Sequence, residues 1–250
     1  MSTCDLDGIG VLVTRPQEQA RSLVQDIRHL GGVPTVFPGV EIEPLVTSAS
    51  SSVVEPSSDV DLVIFVSPSS VRLGMPRIKQ RFGLPRQLLV AAVGQSTAAA
   101  LKGYGLSDVI VPRHGSGVEA LLEVPQLKKV SGWSVIVVRG EGGNQLLESI
   151  LKLRGANVSV IECYRRHRPT ATFSVVAPLF RDGRIGAWMA TSAEILDNLL
   201  YLAGAQGALL RDTPLFVNHP HVANHAFSQA VKVIFVTTGG DKGLVAGLAT

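Results

Sequence analysis

Residues 134–164 have the sequence SVIVVRGEGGNQLLESILKLRGANVSVIECY. Residues 135–138 are all β-branched and apolar, which is typical of a strand buried on both faces. Leucine and isoleucine then recur at helical spacing up to Gly155, a residue type that commonly ends helices. The stretch therefore predicts a strand, a helix and a second strand running out to Tyr164, with glycines at the carboxyl end of the first strand. Ligands of α/β proteins bind at this end.

The chain contains this pattern twice. Arg15 aligns with Arg139, and Ser67 with Thr191, when the sequence is shifted by 124 positions against itself. An offset that persists from end to end without an insertion is the signature of a repeat. We therefore predict an internally duplicated α/β protein.

Each copy contains five strand-like segments that alternate with helix-like ones. The predicted strands are 10–14, 33–37, 61–66, 88–93 and 108–111 in the first copy, and 134–138, 158–161, 185–190, 215–217 and 232–236 in the second. The first two helices are predicted at 17–30 and at about 69–82. This order predicts parallel sheets with helices on both faces. Residues 47–58, TSASSSVVEPSS, are expected to be a connection without a core.

Two domain arrangements fit this order. Each half could fold alone, or the first strand-helix-strand of each half could join the last three strands of the other half. In the second arrangement the crossing segments, PGVEIEPL at 38–45 and ECYRRHRP at 162–169, would be extended and lie side by side. Periodicity does not choose between the two.

Bulk composition argues against several classes of protein. Hydrophobic residues make up 46% of the 250 positions, yet no apolar run approaches membrane-spanning length. The first ten residues lack the basic and apolar regions of a signal peptide. Two cysteines, Cys4 and Cys163, are too few for a disulfide framework, so we expect a reducing cytoplasm. A net charge of +3 is too small and scattered to indicate nucleic-acid binding.

Small and hydroxyl residues follow several of the predicted strands, where helices begin. Helix starts offer unpaired N–H groups to a carboxylate or phosphate. Serine and threonine also occur there simply as N-caps. Because the set recurs in both copies, it favours a cleft that holds a multiply anionic ligand. Its members are Ser67, Ser69, Gly94, Ser96, Thr97, Thr191, Ser192, Gly239 and Gly240.

Three sharper motifs are incomplete. Gln145 stands where a dinucleotide fingerprint beginning at Gly140 requires its third glycine. Ser96 sits in a near match to a nucleophile elbow, but no histidine–acid pair recurs with it, so we interpret it as a cap or a ligand contact. His219, His221 and His225 have metal-like spacing without an accompanying carboxylate or cysteine, and the alternative is that they are surface or anion-contacting histidines.

Tyr164 breaks the internal symmetry, because its repeat partner is Val40. Chemistry on an asymmetric substrate requires asymmetric groups. The alternative is a packed aromatic residue whose hydroxyl has found a partner.

Taken together, the chain resembles the uroporphyrinogen-III synthase family over nearly its whole length. The resemblance depends on the order of seven segments: VLVTRP (11–16), FVSPSSV (65–71), AVGQSTAAAL (92–101), RGEGGNQLL (139–147), CYRR (163–166), ATSAEILDNL (190–199) and PLFVNHPHVANHAF (214–227). Val66, Asn144, His219 and His221 differ from the residues that the family usually has there.

The resemblance implies a fold of two flavodoxin-like domains that exchange their first β-α-β units and are joined by a two-stranded linker. Domain 1 would comprise 1–40 with 170–250 and domain 2 would comprise 44–165, with linkers near 38–44 and 162–170. The active site would lie in the cleft.

The implied reaction closes hydroxymethylbilane, a linear tetrapyrrole, with inversion of ring D and loss of water, as a lyase in haem biosynthesis. The family uses no metal or organic cofactor, and we expect a monomer that binds this small polycarboxylate, with no nucleic-acid or membrane partner. Tyr164 is the expected catalytic residue. The expected substrate-binding residues are Ser67, Ser69, Gly94, Ser96, Thr97, Arg139, Gly142, Thr191, Ser192, His219 and His221. A two-domain binding protein for a polyanionic small molecule is the alternative, although such receptors carry signal peptides.

Overall fold

The structure, a computed structural model, describes residues 6–45, 60–83, 88–115 and 117–249. The predicted connection at 47–58 and Cys4 lie outside these residues. Within them, no helix is both long and apolar enough to span a bilayer.

Strands and helices alternate along most of the chain. The strands are β1 (Gly10–Val13), β2 (Val33–Val36), β3 (Glu41–Pro44), β4 (Leu62–Phe65), β5 (Leu89–Ala92), β6 (Val109–Ile110), β7 (Ser134–Gly140), β8 (Asn157–His167), β9 (Ala187–Ala190), β10 (Leu215–Val217) and β11 (Ile234–Val236).

The α-helices are α1 (Arg21–His29), α2 (Pro68–Phe82), α3 (Gln95–Lys102), α4 (Val118–Leu122), α5 (Pro125–Lys128), α6 (Leu146–Leu153), α7 (Ala177–Arg181), α8 (Ala193–Ala203), α9 (Gly207–Asp212), α10 (Pro220–Ser228) and α11 (Gly240–Leu248). Two short 3₁₀ helices span Phe173–Val175 and Gly204–Gln206.

The chain divides into two compact units. Unit 1 comprises Met1–Glu41 and His167–Thr250, and unit 2 comprises Ile42–Arg166. Each unit has its own sheet and its own core, and each is described separately below.

Unit 1 has a five-stranded sheet with the order β11-β10-β9-β1-β2. Its neighbouring strands are parallel, with Val11 opposite both Pro34 on one side and Ala187 on the other. Helices α1 and α11 cover one face, where Leu23 and Leu244 pack with Val13. The indole N–H of the buried Trp188 donates to the carbonyl of Leu210 at 3.0 Å.

Unit 2 has a six-stranded sheet with the order β3-β8-β7-β4-β5-β6. Alternate residues of β4 serve two cores. Val63 and Phe65 pack with helix α2, whereas Leu62 and Ile64 pack with helix α6 on the other face. A strand buried on both faces explains the continuous apolar runs in the sequence. The predicted class, α/β with parallel sheets, is confirmed.

The largest departures from the predicted element boundaries are the start of α1 and the end of β8. Helix α1 begins at Arg21 rather than at position 17, because the carbonyl of Pro16 accepts the N–H groups of Gln19 and Ala20 in a tight turn. Strand β8 is 11 residues long and continues past position 161. On its outer side β8 pairs with β3, where the N–H of Leu45 donates to the carbonyl of Cys163. These two strands include parts of the segments 38–45 and 162–169, which the second arrangement predicts to be extended and side by side.

Candidate active site

The loops after β4 and β7 meet at a reversal of strand connections in unit 2. These strands are neighbours, with Phe65 opposite Val138. The helix after β4 packs on one face of the sheet and the helix after β7 packs on the other. In parallel α/β sheets, ligands bind at such a reversal, at the carboxyl ends of the strands. Ser67 and the glycine-rich segment 140–145 occupy this position.

Ser67 begins helix α2 as its N-cap, as the sequence predicts. Its Oγ accepts the N–H of Ser70 at 3.0 Å, and the Oγ of Ser70 accepts the N–H of Ser67 at 3.0 Å. This reciprocal capping box satisfies two donors that the first turn of a helix would leave unpaired. Pro68 follows at the first helical position, where it needs no N–H partner. The hydroxyl of Ser67 therefore has a fixed direction.

Tyr164 directs its hydroxyl to this cap. The two hydroxyl oxygens, Tyr164 Oη and Ser67 Oγ, lie 3.0 Å apart, and either can be the donor. Only 5% of Tyr164 is exposed, and its ring belongs to the same core as Phe65 and Val138. Two residues that the sequence assigned separately to the site thus share one hydrogen bond beside a helix N-terminus.

A β-bulge and a glycine position the Tyr164 ring. Up to Arg139, β7 and β8 pair in regular register, but Gly140 then lies opposite Tyr164 instead of Cys163. The ring packs directly on Gly140, where an added Cβ would lie 2.6 Å from Tyr164 Cε2. A main-chain hydrogen bond holds the two strands together beside this contact: the N–H of Glu141 donates to the carbonyl of Tyr164 at 2.8 Å. Bulges of this kind redirect side chains next to functional sites.

Arg139 lies beneath the same loop and is 8% exposed. Its Nη1 forms an ion pair with Glu148 at 2.8 Å and donates to the carbonyls of Gly143 (3.1 Å) and Asn144 (3.4 Å). Its Nη2 donates to the carboxylate of Glu162 at 3.2 Å. Four protein groups therefore engage a guanidinium that the sequence assigned to substrate.

An exposed ion pair lies on the other side of the bulge. The guanidinium of Arg165 makes two contacts with the carboxylate of Glu141, through Nε and through Nη2 at 2.9 Å. This hydrogen bonding holds the pKa of the Glu141 carboxyl below its ordinary value and raises that of Arg165. Glu141 is therefore anionic at neutral pH, and Arg165 offsets its charge beside the exposed Gly142.

The loop after β5 contributes the next group along the same sheet edge. Helix α3 has Gly94 as its N-cap, and no side chain caps it. The interpretation of Ser96 as a cap is therefore wrong: Ser96 is one position inside the helix and exposed, whereas Thr97 is buried. Ser69, in the first turn of α2, is also buried.

In unit 1 the corresponding residues follow β9 and β10. Ser192 is the N-cap of α8, and its Oγ accepts the N–H of Ile195 at 3.3 Å. Thr191 precedes it and is half-buried. Strands β1 and β9 are neighbours, and Arg15, after β1, forms an ion pair with Asp241 of α11. Arg15 and Arg139, which align when the sequence is shifted by 124 positions against itself, are thus both paired with carboxylates.

The histidines after β10 form two contacts. The Nδ1 atoms of His219 and His221 lie 3.0 Å apart, and His225 Nε2 lies 2.7 Å from the carboxylate of Asp197. The expectation that no carboxylate accompanies these histidines is therefore wrong, because Asp197 comes from α8, a separate part of the sequence. Across the described residues, no group of three or more His, Cys, Asp or Glu side chains forms a metal site.

Three residues of the candidate site were not assigned to it from the sequence. Ser70 completes the capping box, Glu148 is the buried counter-ion of Arg139, and Glu162 lies opposite Arg139 in the strand pair. The serine had a usable signal, since it lies three residues after Ser67 at the position where capping boxes have their second member. The two glutamates had no sequence signal that would have identified them.

Comparison with known proteins identifies the class. The family model for uroporphyrinogen-III synthase HemD matches residues 21–244. The chain therefore belongs to the uroporphyrinogen-III synthase family.

Individual relatives agree with this class. The uroporphyrinogen-III synthase of Salmonella typhimurium is 31% identical over 238 residues, which cover 90% of this chain and 94% of that protein. The fold is similar to that of the Helicobacter pylori uroporphyrinogen-III synthetase (TM-score 0.60, 14% identity, 96% and 98% of the two chains). It is equally similar to a mutant uroporphyrinogen III synthase of Thermus thermophilus (TM-score 0.59, 21% identity, 96% and 97%).

Proposed function

We propose that this protein catalyses the uroporphyrinogen-III synthase reaction. It closes hydroxymethylbilane into uroporphyrinogen III, inverts ring D and releases water. The protein is therefore a cyclising hydro-lyase of haem biosynthesis. The observation that carries the proposal is the family match across residues 21–244. The Salmonella relative, which spans nearly all of both chains, supports it.

The substrate carries carboxylates on every pyrrole ring, and helix N-termini are suited to bind them. Backbone N–H groups and the helix dipole attract an anion without the desolvation penalty of burying many cations. The starts of α2, α3 and α8 lie at the carboxyl ends of their sheets. We propose that substrate carboxylates bind there, with contributions from Ser67, Ser69, Gly94, Ser96, Thr97, Gly142, Thr191, Ser192, His219 and His221.

We propose that Tyr164 donates a proton or hydrogen bond to the leaving hydroxyl. Breaking the carbon–oxygen bond of the hydroxymethyl group releases water and leaves an azafulvene cation. This cation is reactive without further help, so the acid assists only the departure. The 3.0 Å contact with Ser67 supports this role, because it fixes the phenol's direction at the end of a helix.

The remaining task is control of geometry. The substituted carbon of ring D must attack the azafulvene in preference to the free position, which gives a spiro intermediate on the way to the inverted ring. Positioning two reacting groups can contribute many orders of magnitude to a rate. The proposed carboxylate contacts would impose this fold on the flexible chain.

We further propose that the protein is internally duplicated and that its two flavodoxin-like domains exchange their first β-α-β units. Numbered in chain order, the sheet of unit 1 has the order 2-1-3-4-5 of that fold. The sheet of unit 2 has the same order when β7 and β8 are counted as its first two strands and β4, β5 and β6 as the next three, with β3 added outside. Strand β1 pairs with β2 on one side and with β9 on the other, whereas β7 pairs with β8 on one side and with β4 on the other. This pairing supports exchanged units with boundaries near the predicted 1–40 with 170–250, and 44–165.

Product analysis tests the proposed function. Hydroxymethylbilane in water closes spontaneously without inversion and gives the type I isomer. Purified, EDTA-treated protein is incubated with fresh substrate, and the oxidised isomers are separated. We expect type III in clear excess and formed faster than spontaneous closure. Type I alone would support the binding-protein alternative, and loss of activity that only a metal ion restores would contradict the metal-free reaction.

A further inference from the structure

We infer that Arg139 is a positioning residue that acts through Tyr164 and does not bind substrate. The inference rests on the proposed role of Tyr164 in the synthase reaction. Its basis is the ion pair between Arg139 and Glu162, which joins β7 and β8 at the last regular register position before the bulge.

The register at this point decides where the Tyr164 side chain points. Side chains alternate between the faces of a strand, so a shift by one residue moves each of them to the opposite face. The bulge introduces such a shift, and as a result Cys163 and Tyr164, although adjacent, both contribute to the core beneath α2. Without the shift, Cys163 would lie opposite Gly140, and the phenol would lose its place beside Ser67.

Contacts on Glu162 fix this register from two sides. Arg139 binds its carboxylate at 3.2 Å, and Arg77 of α2 donates to its carbonyl at 3.1 Å. The thiol of Cys163 donates to the carbonyl of Arg139 at 3.4 Å, so the bulged residue is also attached to β7. Arg139 thus holds the strand pair both by its side chain and by its main chain.

Arg139 also holds the loop on which the Tyr164 ring packs. Its Nη1 donates to the carbonyls of Gly143 and Asn144, while Gly140 forms the surface under the ring. Glu148 of α6 is the buried counter-ion of Arg139, the loop and β8 accept from its two terminal nitrogens, and its Nε is buried without a hydrogen-bond partner among the described residues. A substrate carboxylate would have to displace one of these contacts.

The test uses variants that retain the buried charge balance as far as possible. Arg139→Lys keeps the cation opposite Glu148 but cannot make the planar, forked contacts of a guanidinium. Glu162→Gln removes the negative charge of the partly exposed partner and leaves Arg139 in place, so it provides the answer if Arg139→Lys does not fold. Arg15→Lys is the matched control, because Arg15 is the repeat equivalent of Arg139 and is paired with Asp241 in unit 1.

The first readout is kinetic. We expect Arg139→Lys and Glu162→Gln to lower kcat by roughly ten- to a hundredfold, the usual effect of misplacing a reacting group, with KM little changed. In a Tyr164→Phe background both effects should disappear, whereas any effect of Arg15→Lys should persist. A raised KM with unchanged kcat would show that Arg139 binds substrate. Equal losses of kcat in the wild-type and Tyr164→Phe backgrounds would show that Arg139 has only a general structural role.

The second readout does not depend on activity. The chain has three tyrosines, so 3-fluorotyrosine labelling gives three ¹⁹F resonances, and Tyr164→Phe identifies the one from Tyr164. Arg139→Lys and Glu162→Gln should shift or broaden this resonance and leave those of Tyr104 and Tyr201 unchanged. An unmoved Tyr164 resonance overturns the inference. If Tyr164→Phe is itself fully active, the proposed catalytic role fails, while the resonance still reports whether Arg139 positions the ring.

Discussion

The hydroxyl oxygens of Ser67 and Tyr164 lie 3.0 Å apart, and they join the N-terminus of α2 to a bulge in β8 that is 97 residues away in the sequence. Ser67 Oγ already accepts the N–H of Ser70, so one of its lone pairs is occupied. The helix cap and the phenol are therefore coupled: whatever moves the first turn of α2 also moves the proposed acid.

Replacing Tyr164 with Phe tests the proposed role of the Tyr164 hydroxyl as the acid. The variant loses one hydroxyl and keeps the ring that packs on Gly140, so we expect its thermal unfolding to change little. Turnover should fall by roughly one to three orders of magnitude, the range for a hydrogen bond that strengthens in the transition state. Steady-state rates of type III formation measure the loss.

Ser96→Ala is the comparison for this variant. Ser96 is exposed and caps nothing, so the loss of its hydroxyl removes at most a substrate contact. We expect a far smaller effect than that of Tyr164→Phe. The opposite ranking, an inactive Ser96→Ala with a fully active Tyr164→Phe, would refute the assignment of roles.

A second prediction separates the two functions of Ser67. Ser67→Ala should lower the free energy of unfolding by about 0.5–2 kcal/mol through the lost cap, and it should also lower kcat. Ser70→Ala disrupts the same capping box but keeps the contact between Ser67 and Tyr164. We expect similar destabilisation from both and a loss of kcat mainly from Ser67→Ala. Chemical denaturation and initial rates measure the two quantities, and equal losses of kcat would argue against coupling.

The sequence predicts the parts of this site that depend on local chemistry. The cap at Ser67 follows from a hydroxyl residue before proline at the end of an apolar run, and the parallel sheets follow from apolar runs that alternate with amphipathic ones. The left-handed conformation of Gly155, at φ 87°, likewise follows from its place after a helix.

The sequence does not predict contacts that depend on tertiary packing. Nothing local distinguishes Glu162, which pairs with Arg139, from Glu141, which pairs with the exposed Arg165. The bulge at Gly140 depends on how β7 and β8 align, and propensity carries no information about it. The pairing of His225 with Asp197 joins α10 to α8, which are separated in the sequence by α9 and β10, so spacing along the chain could not reveal it.

Gly140→Ala tests how closely the ring must approach the backbone. The new Cβ would lie 2.6 Å from Tyr164 Cε2 and 2.8 Å from Cζ, so the ring must move. We expect about 1–3 kcal/mol of destabilisation, as for other overpacked sites, and a loss of turnover comparable to that of Tyr164→Phe. Gly143→Ala is the control, since its Cβ would come no closer than 3.4 Å to any neighbouring atom. A Gly140→Ala protein with wild-type rate and stability would contradict the described packing.

The last prediction concerns Cys163 and pH. Burial raises the pKa of this thiol from 9.0 to about 11, because the interior disfavours the thiolate. In the unfolded chain the thiol ionises near its ordinary pKa, so between pH 9 and 11 the folded state binds more protons than the unfolded state and stability falls as pH rises. Below pH 9 the thiol is protonated in both the folded and the unfolded state, so its full contribution to the free energy of unfolding is retained.

In a Cys4→Ser background, the free energy of unfolding should decline over this window by about 3 kcal/mol more than in the same protein with Cys163→Ala. Urea denaturation at half-unit steps from pH 8 to 11 measures this difference, and each titration uses the alanine variant as its reference to cancel lysine and tyrosine ionisation. Iodoacetamide should correspondingly modify Cys163 only after unfolding at pH 8, since the thiolate is the reactive form. Parallel stability profiles for the two proteins, or rapid alkylation of the folded one, would show that the thiol beside the bulge is accessible to water.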